Sequence, residues 1–108
     1  MDERIVEIKE SAISYIVRLE AELPKFVLEL RAADTRRLSM LPDVMEGVHW
    51  LIEAAMAVTG ADGDVIDRLS DALGAMEDAV KNLDYTLIAD ILEYEILELA
   101  ADWRGVFE

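Results

Sequence analysis

A carboxylate stands where a hydrophobic residue is expected. From Asp84 to Trp103 the chain reads DYTLIADILEYEILELAADW. At helical spacing Ile88, Leu92, Leu99 and Trp103 share one side, with Glu95 in the middle of the stripe. A desolvated carboxylate has a raised pKa and could serve as an acid or a base. Burying it unpaired costs several kcal/mol. Glu95 is therefore expected as a buried carboxylate paired with one of Arg18, Arg31, Arg36, Arg37, Arg68 or His49, or at the stripe's edge. The structural role outweighs the catalytic one, and no catalytic residue is assigned.

Other acids have metal-ligand spacing. EIKE (Glu7–Glu10) and EILE (Glu95–Glu98) both read E-x-x-E, and Asp102 follows Glu98 by one turn. With 24 acids in 108 residues such pairs arise by chance. His49 lies between Glu46 and Glu53, but one histidine makes a poor transition-metal site. Asp62 and Asp64 resemble the opening of a calcium loop, yet Ile66 stands where its third ligand would be. These two acids suit a helix cap better. Phosphate-loop and nucleophile-elbow motifs are absent, and there is no cysteine for thiol chemistry. The expectation is no metal and no cofactor.

The elements that must position these residues are all helical. The chain is 54% hydrophobic and 31% charged, with no Gln, one Asn, four Ser and three Thr. An alphabet divided between apolar and ionic residues suits helices packed on helices. Residues 1–108 read as one domain: an all-α, antiparallel four-helix bundle. The first helix starts near Asp2 and runs to about Ala33. Its apolar series crosses Pro24 in phase, so it should be kinked or split there. The second is predicted from about Pro42 to Val58, the third from Asp64 to Asn82, and the fourth from an Asp84 cap to Trp103. Short links between the last three make them antiparallel neighbours.

Two helices carry more than one apolar face. The second has Gly47, Trp50, Ala54 and Ala57 beside its main stripe. The first adds Val6, Ile13, Val17 and Leu28. That surplus apolar surface should meet another molecule. A second copy is the simplest partner, because two-fold homodimers are the commonest assemblies. A basic or amphipathic helical peptide is the other.

The net charge of −14 repels phosphate backbones and anionic lipids, so neither nucleic acid nor membrane is an expected partner. The opening MDERIVEIKE lacks a basic leader with an apolar run, and no stretch nears the roughly 18 apolar residues of a membrane span. A cytoplasmic protein is expected.

The segment Leu87–Trp103, LIADILEYEILELAADW, resembles the last helix of flagellin-export chaperones, which are small acidic bundles ending in a Trp after a Leu-rich stripe. It is also similar to small uncharacterised bacterial helical proteins. The likeness implies a non-enzymatic interaction, adaptor or chaperone-like role. The paired acids of the first and fourth helices resemble those of all-helical nucleotide pyrophosphatases, implying the alternative of a small metal-assisted hydrolase. That alternative needs a second acidic motif and nucleotide-binding groups, neither of which is evident.

Overall fold

The structure is a computed structural model that describes residues 3–59 and 63–108. Helix α1 spans Glu3–Arg31, α2 Met40–Thr59 and α3 Asp64–Lys81. The last rod is continuous: α4 (Tyr85–Ile91), a π-helical segment (Leu92–Ile96) and α5 (Leu97–Phe107). The rods form a four-helix bundle measuring 47 × 23 × 20 Å. α1 packs against α2 and the last rod, and α3 packs against the same two from the opposite corner.

Helix α1 passes Pro24 as one uninterrupted helix, so it is not split there. Pro24 is solvent-exposed, which keeps its ring out of the packed side. The register on either side is held by burial: Ala12, Ile16, Leu19, Leu23, Phe26, Val27 and Leu30 all face the core. Twenty-nine residues at about 1.5 Å each give α1 a length of about 43 Å. Full burial begins at Ala12, and Ile8, one turn earlier, is partly buried against the same core.

Local chemistry sets the other ends. Pro42 sits in the first turn of α2, where no intrahelical donor is required. The expected start of α1 at Asp2 lies outside the described residues, as does the Asp62 cap. Asp64 is the first residue of α3 rather than its cap; Gly63 occupies the cap position without a side-chain hydrogen bond. Asp84 caps α4 as expected, its carboxylate accepting from the Leu87 backbone N–H at 3.1 Å.

Two helix ends close by the same device. Asp34 N–H donates to the Glu29 carbonyl at 2.9 Å, and Asp84 N–H to the Ala79 carbonyl at 3.0 Å. Each six-residue closure requires one left-handed residue, usually glycine. Ala33 (φ 55°) and Leu83 (φ 50°) fill those positions instead.

The interior is apolar except for the indole N–H of Trp103, which is buried without a hydrogen-bond acceptor among the described residues. Among the described residues no polar or charged side chain is buried. Trp103, Phe26, Ile16, Leu51, Met76, Ile88 and Ile96 are among its largest members. Among the described residues no helix is long and apolar enough to cross a membrane.

Candidate interaction surface

Glu95 is exposed, contrary to the buried carboxylate expected from its spacing. The π-helical segment is the reason. A π turn accommodates one residue more than an α turn, so it shifts the phase of every later residue in the rod. Ile96, at 1% exposure, takes the core position that uninterrupted α geometry gives to Glu95. The stripe then reads Ile88, Leu92, Ile96, Leu99, Trp103 and Phe107, all buried.

The remaining acids also face water. Glu7, Glu10, Glu98 and Asp102 are exposed. His49 Nδ1 lies 3.7 Å from Glu53 Oε1 on the open face of α2. Asp64 lies 3.7 Å from Arg68 one turn on. Among the described residues no three His, Asp or Glu side chains converge on a point where a metal could sit.

Ion pairs gather along α1. Arg31, in its last turn, reaches Asp90 at 2.9 Å and Glu93 at 2.7 Å on the last rod. Its guanidinium also lies 6.0 Å from the Tyr94 ring centroid. Glu20 meets Arg104 Nε at 3.3 Å, a contact too poorly aimed for a hydrogen bond. Arg37, in the loop after α1, clamps Glu29 through both carboxylate oxygens and lowers its pKa. Arg36 does the same to Asp34, holding that carboxyl down to about 2. The loop between α1 and α2 is thus tied by two arginine–carboxylate forks.

An opening lies between α1 and α2. It encloses about 540 Å³, with a floor of Leu19, Leu23, Met40 and Val44. Arg18, Lys25 and Arg37 rim it together with Glu22 and Asp43. Tyr15 closes one end. Burial raises the pKa of its phenol, partly opposed by Arg18, whose guanidinium lies 6.0 Å from the ring centroid. Beyond Tyr15 a shallower depression is bounded by Glu10, Ser11, Ser14, Arg18 and Trp50.

The eight residues assigned to an interface divide into distinct environments. Ala54 is 5% exposed and belongs to the subunit's own core. Gly47 is taken within the subunit as well. A methyl added there would overlap the Tyr15 hydroxyl, so the phenol lies across the glycine. Nothing in the periodicity of either helix signals that contact. Val17, Leu28 and Trp50 are exposed by 50%, 68% and 38%. Ala57 is exposed, and Val6 and Ile13 are half-buried. At about 100° per residue, Val6, Ile13, Val17, Pro24 and Leu28 fall within an arc of about 60° beside the core stripe of α1, and Ile13, on its inner edge, also packs against the subunit's own core. Trp50 instead lies across the groove, beside Ser14 and Arg18.

No curated protein and no solved structure matches the chain significantly. A family model matches residues 7–106, nearly the whole bundle, and the chain belongs to that family, described as Domain of unknown function (DUF8042).

Proposed function

We propose that this protein is a non-enzymatic interaction module, adaptor- or chaperone-like, that associates with a second copy of itself. A cytoplasmic setting is part of the same reading. The observation that carries it is the exposure of Val17 and Leu28 along the outer arc of α1. Both are large aliphatic side chains in a chain with 34 charged residues, 24 acidic and 10 basic, available to cover its surface. Such side chains in a contiguous strip mark an association surface more often than isolated ones do. Trp50 and Ala57 extend the apolar surface onto α2, while Gly47 and Ala54 are used inside the subunit. A basic amphipathic helix is the rival occupant, since the acidic surface would attract it.

The alternative of a metal-assisted hydrolase draws no support from the acids of α1 and the last rod. Glu7, Glu10, Glu95 and Glu98 are solvated, and the described residues bring no such group together. Titration with magnesium or manganese that gave tight binding and a thermal shift would reverse this preference.

Light scattering at tens of micromolar protein tests self-association directly. The expected result is twice the chain mass. Leu28→Glu and Trp50→Glu should each return the monomer mass with far-UV circular dichroism unchanged. A wild-type monomer at that concentration would overturn the self-association reading. Complete unfolding of Trp50→Glu would place Trp50 in the core instead.

A further inference from the structure

Self-association through α1 leaves open how two copies are oriented, and the charges beside the apolar strip differ along its length. Glu7 and Glu10 lie near its start and Lys25 near its end. All three are exposed, and none forms an ion pair with another described residue. Glu7 and Lys25 are about five helical turns apart, at 3.6 residues per turn, so they project from the same flank of α1. Glu10 lies at the edge of the strip itself.

We infer that two copies pair through the outer faces of antiparallel α1 helices, with the two-fold axis crossing near Val17. The inference rests on the self-association reading and adds its geometry. A two-fold axis perpendicular to the paired helices sets like flanks on the same side with reversed direction, and every contact occurs twice. Val17 then meets the partner's Val17. Val6 meets the partner's Leu28, and Ile13 meets the partner's Ala21. Lys25 comes opposite the partner's Glu7 and the partner's Glu10, and the symmetric contact repeats at the other end. The apolar strip and the charges are satisfied by one register.

A parallel pair does the reverse. Its two-fold axis runs along the helices and sets like flanks on opposite sides with heights unchanged, so Lys25 meets neither the partner's Glu7 nor the partner's Glu10 and the charge match is lost. Charge complementarity thus selects a second copy in the antiparallel sense. It also sets the first turns of α1 beside the far end of the partner's α1.

The chain has no native cysteine, so single cysteines report contacts cleanly. A disulfide requires Cα atoms within roughly 7 Å. Under mild oxidation Val17→Cys should cross-link to itself. Val6→Cys and Leu28→Cys should not, because each lies about 33 Å from its own copy at 1.5 Å per residue. An equimolar mixture of those two should cross-link. Separately, Lys25→Glu should weaken self-association about tenfold, and Glu7→Lys/Glu10→Lys similarly. Mixing these two variants should restore it, with circular dichroism confirming that each remains folded. Self-cross-linking of Leu28→Cys, or undiminished association of Lys25→Glu, would overturn the antiparallel arrangement while leaving a dimer. A monomeric wild-type chain would overturn both the arrangement and the reading beneath it.

Discussion

Deleting one residue should be nearly harmless at Glu95 and ruinous three residues later. The π-helical segment Leu92–Ile96 holds one residue more than an α-helical turn would. Removing Glu95, which is exposed, lets the segment relax to α geometry while α4 and α5 keep their phases. The expected cost is within about 1 kcal/mol, as for a surface change. Removing Glu98, also exposed, falls within regular helix. Everything after it then rotates by about 100° relative to the preceding turns. Leu99, Trp103 and Phe107, now 1%, 2% and 3% exposed, would leave the core. Burying a large apolar side chain is worth about 1.5–3 kcal/mol, so losing three costs at least about 5 kcal/mol. That equals the whole stability of a weakly stable domain. Thermal denaturation followed by far-UV circular dichroism reads the contrast. At roughly 4 °C per kcal/mol, the Glu95 deletion should melt within a few degrees of the parent, whereas the Glu98 deletion should lack a cooperative transition. Equal damage from both deletions would refute the argument that the wide turn absorbs a surplus residue.

Two further outcomes rest on local geometry. Gly47→Ala should destabilise by about 1–3 kcal/mol, because its methyl displaces the Tyr15 phenol. In a Tyr15→Ala background the same change should instead stabilise by up to about 1 kcal/mol from helix propensity, and a thermal double-mutant cycle reads the change of sign. Leu83→Gly should stabilise by about 1 kcal/mol in chemical denaturation, because its left-handed backbone (φ 50°) penalises a side chain that is 66% exposed.

The elements are legible in the sequence because each helix advertises a stripe at helical spacing. In α3, Ile66, Leu69, Leu73 and Met76 are buried as that spacing requires. Asp84 signals its helix start through side-chain chemistry alone. Pro24 is ambiguous, since a missing donor is visible in the sequence whereas the packing that keeps α1 continuous is not. Glu95 shows a sharper limit. Periodicity assumes a constant turn, and a single π turn between Leu92 and Ile96 moves a residue from the stripe to the surface. The second face of α2 misleads for a different reason. Ala54 and Gly47 look vacant along their own helix, but the subunit's own core takes the first and Tyr15 the second, and neighbouring rods leave no mark in a one-helix pattern.

An interior without a single polar pairing has a consequence for how the four rods know their places. Oil against oil can slide or swap with modest penalty, and one embedded polar group is a familiar way to forbid that. Here the task passes to the rim. The inter-rod ionic links among the described residues, Arg31 to Asp90 and Glu93, and Arg104 to Glu20, all join α1 to the last rod. First and last are therefore indexed to each other by charge, while the middle pair, among the described residues, is located by shape. Concentrated salt should slacken that indexing first and leave the middle pair where it was.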